Sequence, residues 1–261
     1  MNGRIATTLA SVVAIWNTVV SGISQQEFRM AAKGPLAHVR AIVVTVDPST
    51  HRFRLDLVRA NHGLTPAWSV DSIPHDAVVA VNAGQFTGGF PWGWLVRDGI
   101  ETQPPGSGSL GMAFVVDSSG SVFLVTPPEI PEFRRRAVYA FQSYPTLLVD
   151  GEMPLELRAK GRGVNLEHRD SRLAICTRSN RTVMIVITRV AVLGKAGATL
   201  PYGPTVPEMA AYMRSLGCRR AMLLDGGISS QLAVRKDRGI LKRWTNWRLV
   251  PLGLVVIPRN F

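Results

Sequence analysis

Leu216-Gly217-Cys218-Arg219-Arg220-Ala221-Met222-Leu223-Leu224-Asp225-Gly226-Gly227-Ile228-Ser229-Ser230 carries the chain out of a helix, along a short apolar strand and onto a carboxylate followed by two glycines and two hydroxyls. The helix is written just upstream: Val206, Met209, Ala210, Met213 and Leu216 recur at helical spacing. Thr205-Val206-Pro207-Glu208 matches a capping box with proline in the first turn, and Gly217 is a C-terminal stop. The apolar run Ala221 to Leu224 then aims Asp225 out of a strand end, where Gly226 and Gly227 leave backbone N–H groups free to converge on an anion. A tight Asp-Gly-Gly turn closing a hairpin has the same sequence, so these residues alone leave both readings open.

Working outward, the rest of the chain reads as strands. His38 to Asp47 and His51 to Val58 alternate around Asp47-Pro48-Ser49-Thr50, the pattern of a β-hairpin. Ala77 to Asn82 runs into Gly84 and the Gly- and aromatic-rich loop Thr87 to Gly93. Further strands are expected at Trp94 to Arg97, Met112 to Val116 and Val122 to Val125, the last two joined at Asp117-Ser118-Ser119-Gly120. Pro127 to Pro131 reads as a surface loop. Tyr144 to Val149, Leu173 to Thr177, Arg181 to Arg189, Gln231 to Val234 and Leu249 to Ile257 complete the set, with a flexible loop over Gly194 to Gly203. The polar interval Glu152 to Asp170 is long for a structureless loop, which points to function. The fold class is α+β, a sheet-dominated mixed domain with one clear amphipathic helix before the Asp-Gly-Gly strand end.

The 261 residues, 46% hydrophobic and 18% charged, suit one large domain over residues 36–261. Met1-Asn2-Gly3-Arg4, the apolar run Ile5 to Trp16 and the small residues to Gly22 have the layout of a signal peptide over residues 1–22, with 23–35 as a linker. The apolar run is too short to span a bilayer comfortably, no later segment looks transmembrane, and export makes the mature chain secreted, periplasmic or envelope-facing. Export would let the two cysteines, Cys176 and Cys218, pair; buried free thiols fit equally well.

A net charge of +12 favours an anionic partner. The basic residues are scattered and not interleaved with aromatics, which argues against nucleic acid. The five histidines show no ligand pair, so neither metal nor other cofactor is expected. Arg169-Asp170-Ser171-Arg172 precedes an apolar strand and places Arg172 where it can grip a phosphate, although a surface ion pair would read the same. His168 is an acid/base candidate, but an isolated loop histidine is more often solvated. Asn82 and Phe86 stand at another strand end, suited to a sugar hydroxyl and a sugar face, or to an ordinary Asn-led turn.

Taken in order, Asn82-Ala83-Gly84-Gln85-Phe86, Arg172-Leu173-Ala174-Ile175-Cys176, Thr205-Val206-Pro207-Glu208 and Leu223-Leu224-Asp225-Gly226-Gly227-Ile228-Ser229-Ser230 resemble the phosphodiester glycosidase family. The closing Arg248-Leu249-Val250-Pro251 is similar to the family's last strand. Ile228 stands where the family pattern has a third glycine, and Leu223 where it has Asn. The resemblance implies hydrolysis of the bond between a sugar's anomeric carbon and phosphate, in an envelope or extracellular glycan. It implies catalytic roles for Asp225, Arg172 and Glu208. Substrate binding would fall to Asn82, Gly84, Phe86, Gly226, Gly227, Ser229, Ser230 and Arg248. The alternative is an envelope protein that binds carbohydrate or an anionic polymer without cleaving it.

Overall fold

A computed structural model describes residues 17–31, 33–190, 202–236 and 239–259. Among the described residues the architecture is three large antiparallel sheets meeting at a central core, two small two-stranded ribbons and a single substantial helix. The largest sheet runs Asn17–Val20, Ile23–Arg29, Val39–Val46, Val183–Val190, Leu173–Arg178, Cys218–Leu223, Thr146–Leu148. A second sheet runs Leu241–Trp244, Leu232–Arg235, Val79–Asn82, Leu252–Pro258, His51–Leu57, and a third Ile100–Gln103, Leu95–Arg97, Ala137–Ser143, Met112–Asp117, Val122–Val125.

Strand alternation distributes side chains between layers. From Leu173–Arg178, Leu173 and Ile175 enter the central core, where they meet Phe53 and Leu254 of the second sheet and Phe114 and Phe141 of the third. Ala174 and Cys176 face the other way, under the helix Val206–Ser215, whose Val206, Met209, Ala210 and Met213 bury against that face. Covered on both faces, these strands read as continuous apolar runs rather than as alternation. Each large helix side chain buried there contributes about 1.5–3 kcal/mol. The expected capping box is present: Thr205 Oγ1 accepts from the Glu208 amide, and Glu208 Oε2 from the Thr205 amide. Gly217 follows at φ +81°, the left-handed conformation that ends helices.

Several local expectations need correction. His38 to Val58 is not a hairpin: Val39–Val46 pairs with Ile23–Arg29 and Val183–Val190, whereas His51–Leu57 pairs with Leu252–Pro258 in a different sheet. The Asp47 turn forms, its carboxylate accepting from the Ser49 amide, but Val44 and Leu55 then enter the same core from different sheets. The stretch expected as a linker contains the strand Ile23–Arg29, and Asn17–Val20 pairs with it, with Val19 buried, so the last residues of the expected signal peptide lie in the sheet. The rest of that segment, residues 1–16, and most of the Gly194 to Gly203 loop lie outside the described residues. Pro127 to Pro131 is helical rather than looped, a turn over Pro127–Glu129 continuing into Ile130–Phe133, because Thr126 and Glu129 form a second capping box that tolerates proline in the first turn.

Cys176 and Cys218 are joined in a disulfide on adjacent strands, with Cα atoms 5.8 Å apart. Among the described residues no helix is long and apolar enough to cross a membrane.

Candidate active site

Asp225 leaves the strand Cys218–Leu223 where the large and second sheets meet. Its amide donates to the Ala83 carbonyl, the preceding Leu224 amide to Leu173, and the Gly227 amide to Ser171. Three chain segments thus hold one turn. Gly226 and Gly227 are required there by close approach: a Cβ would stand 2.8 Å from the Ser171 carbonyl at Gly226 and 2.7 Å from Asp170 Oδ2 at Gly227, which also has φ +55°.

The turn opens on a cleft of about 380 Å³ lined by Asp225, Gly226, Gly227, Arg172 and Asp170, with Gln85, Trp92, Tyr144 and His168 on its walls. Burial pushes the Asp225 carboxyl up to about 6; a hydrogen bond from Ser229 and the charge of Arg248 pull the other way, and the nearby Asp170 carboxylate adds to the rise. Its Oδ2 is buried without a hydrogen-bond partner among the described residues. Asp170 is likewise raised, chiefly by burial, against the pull of Arg172, the Ser171 amide and His168. Burial lowers Arg172, with Asp170 opposing. Arg172 Nε donates to the Pro204 carbonyl (3.0 Å) and one Nη to the His168 carbonyl (2.5 Å), leaving Nη1 without a hydrogen-bond partner among the described residues. Two carboxyls strained toward protonation therefore share one cleft with a fixed, incompletely engaged guanidinium.

The other sequence candidates separate into supports and bystanders. Asn82 does not line the cleft. It is 0% exposed, donates to the Asp225 carbonyl (2.7 Å) and accepts from the Gln231 amide (2.7 Å), tying the Asp225 turn to the second sheet. Gly84 serves packing, since a Cβ would meet the Gln142 carbonyl at 2.5 Å. Phe86 is buried and lies under Arg248, whose guanidinium is 4.6 Å from the ring centroid. Ser229 touches the Asp225 carboxylate, whereas buried Ser230 donates to the Gly227 carbonyl and shapes the turn. Glu208 is spent elsewhere: besides the capping box, it forms a two-pronged ion pair with Arg169, both contacts 2.8 Å. Burial raises its carboxyl, but the Arg169 and Thr205 hydrogen bonds outweigh this and hold it below the usual range. It does not line the cleft.

Asp170 is not among the residues expected at the site, although it lies in the run Arg169-Asp170-Ser171-Arg172. The signal available was the long polar interval ending there, whose Val164, Asn165, His168 and Asp170 do form one wall. Ile228 is 44% exposed and outside the lining, so its bulk leaves the cleft open.

Residues 75–257 match the phosphodiester glycosidase family. The chain belongs to that family. A similar fold occurs in a hypothetical protein from Synechocystis, with a TM-score of 0.60, 17% identity and coverage of 92% of this chain and 62% of that one. The catalytic domain of zebrafish N-acetylglucosamine-1-phosphodiester α-N-acetylglucosaminidase, auto-inhibited by its pro-peptide, is also similar, with a TM-score of 0.62, 16% identity and coverage of 96% and 85%. Among curated proteins no relative matches the chain. The family match spans every segment that lines the cleft.

Proposed function

We propose that the chain hydrolyses glycosyl phosphodiesters, breaking the bond between a sugar's anomeric carbon and a phosphate oxygen. The observation that carries this reading is the pairing of Asp225 and Asp170 beside the Arg172 guanidinium in one cleft. Glycoside hydrolysis ordinarily uses two carboxyl groups, one to protonate the leaving oxygen and one to attack or to activate water. A phosphate monoester leaves as a stabilised anion, so fixed positive charge can take over much of the acid's task. Arg172, held by two carbonyls, offers Nη1 to the departing phosphate. Asp225, oriented by Ser229 and with one bare oxygen, acts at the anomeric carbon as nucleophile or base. Asp170, itself raised, is placed to pass a proton between the leaving oxygen, His168 and water. Arg248 adds positive charge at the rim.

The disulfide favours export, and with it an extracellular or envelope glycan as the source of the diester. The test is release of free sugar by the purified chain from a panel of sugar-1-phosphodiesters, N-acetylglucosamine forms included, beside Asp225→Asn and Arg172→Ala. Release that is lost in both variants supports the reading. Binding of the same diesters without release by the wild type would sink it in favour of a carbohydrate-binding protein.

A further inference from the structure

Beside the cleft, and joined to it at Trp92, stands a set of exposed apolar side chains that the hydrolytic chemistry does not use. Two small hairpins build one side. Phe86–Thr87 pairs with Phe90–Pro91, and Arg59–Ala60 with Thr65–Pro66. They touch at Gly89, whose Cβ position is 2.9 Å from the Leu64 carbonyl, and at Arg59, whose guanidinium lies 5.1 Å from the Phe90 ring centroid. Leu64 is 67% exposed and Phe90 48%, and two residues further along the chain Trp92, also exposed, forms part of the cleft wall.

The other side is the catalytic turn and the segment that returns to it. The Arg248 amide donates to the Ile228 carbonyl, and Ile228 and Leu249 are both about half exposed. Val58, exposed as well, donates its amide to Pro251 and so links this side to the hairpins. A rim of large apolar side chains beside a polar cleft is unusual on a water-facing surface, where such groups normally scatter singly.

Positive charge is set among these side chains. Arg59 lies on the exposed Phe90 ring of the rim, Arg248 on the buried Phe86 ring beneath it, and Lys242 stacks on Trp244, at 4.7 Å, on the neighbouring edge strand. Asp71 on that side is already paired with Arg243. Apolar tips interleaved with cations match the headgroup and upper acyl region of a bilayer carrying anionic lipid, and the whole chain's charge of +12 has the same sign.

Resting on the hydrolytic reading above, we propose that this rim docks on an anionic bilayer and that the substrate is a glycosyl phosphodiester anchored in it by a lipid. The sugar and phosphate then enter the cleft while the lipid stays in the membrane. Docking fixes the headgroup at the height of Asp225 and Arg172 and removes the need for a deep aglycone pocket.

The test uses the full chain with vesicles of phosphatidylcholine, with and without added phosphatidylglycerol. Co-sedimentation should require phosphatidylglycerol, weaken in high salt, and fall about tenfold or more in the Phe90→Ser/Leu249→Ser double variant. Arg59→Gln, which leaves the apolar rim intact, should weaken binding less and flatten its salt dependence. Hydrolysis of a short-chain, water-soluble glycosyl phosphodiester should be unchanged in the double variant, whereas hydrolysis of a vesicle-embedded one should fall with binding. Absence of sedimentation, or equal sedimentation of wild type and double variant, overturns the proposal. A dimer in sedimentation velocity that the double variant converts to monomer, without vesicle binding, overturns it in favour of a second copy on this face. Rim-dependent vesicle binding with no hydrolysis of either diester would retain the docking surface and reject the hydrolytic reading alone.

Discussion

The strand Leu173–Arg178 and its neighbour Cys218–Leu223 end in two opposite electrostatic settings. At the end near Arg178, ionic groups are matched. Arg220 grips Glu129 with both guanidinium nitrogens (2.6 and 2.9 Å), and those hydrogen bonds, set against burial, hold the Glu129 carboxyl down at about 2. Asp150 lies 3.5 Å from the same arginine, and the Cys176–Cys218 disulfide ties the two strands there. A cleft of about 930 Å³ opens at this end, larger than the one at Asp225, yet its carboxylates are engaged, Glu129 by Arg220 and Asp47 by Ser49. At the other end Asp225 has a bare buried oxygen and a carboxyl raised to about 6, beside Asp170, also raised. The same pair of strands is stapled at one end and strained at the other. Matched charge marks structure, and mismatched charge held in place by a stable frame marks chemistry.

The contrast is best broken by substitution, and the largest effect is expected at Asp225. Asp225→Asn should cut turnover by at least about 10³-fold. It should also raise stability at pH 7. A carboxyl with a raised folded pKa stabilises the fold when protonated and loses that contribution as pH climbs from the usual carboxylate range through about 6. The neutral amide removes this penalty, about 1–3 kcal/mol, as a thermal melt would show. A variant that is both inactive and less stable would argue that Asp225 is structural.

At the stapled end, replacing Cys176 and Cys218 by serine should cost about 4 kcal/mol of stability, given a loop spanning 42 residues, without changing the residual KM of folded protein. Arg172→Lys comes next. It keeps a charge but loses the fork, so kcat should fall by about 10²-fold in steady-state kinetics with stability nearly unchanged. The smallest effect is expected for Glu208→Gln. It weakens a cap and a half-exposed ion pair, lowering stability by about 1 kcal/mol and leaving kcat intact. A collapse in kcat there would restore Glu208 to the catalytic set.

How much of this was legible in the sequence follows from where each signal is stored. The helix and its cap are local, carried by Thr205, Glu208 and Gly217, and the hairpins Met112–Asp117/Val122–Val125 and Leu173–Arg178/Val183–Val190 are set by short turns. Asp225 at a strand end was equally visible. The bridge from Val39–Val46 to His51–Leu57 was not, because alternation reports burial and says nothing about which sheet a strand joins. Ala137–Ser143 sits at the centre of the third sheet yet reads as an ordinary mixed stretch. Asn82, Gly84 and Phe86 were recognised as belonging near the site but assigned to the ligand. Their neighbours in the fold, Gln231, Gln142 and Arg248, come from distant segments. Asp170 stayed hidden for the same reason, since its raised carboxyl is a product of packing and not of its neighbours in the chain.

The most direct measurement is the pH dependence of kcat/KM for sugar release from a soluble glycosyl phosphodiester, comparing wild type with Asp170→Asn. If Asp225 acts as an ionised nucleophile or base, the wild-type rate rises with pH through a midpoint near 6. Removing the Asp170 charge should then shift that midpoint downward, because one source of its elevation is gone. A rate that is flat between pH 4 and 8, or a midpoint that ignores Asp170→Asn, would contradict a catalytic pair in this cleft.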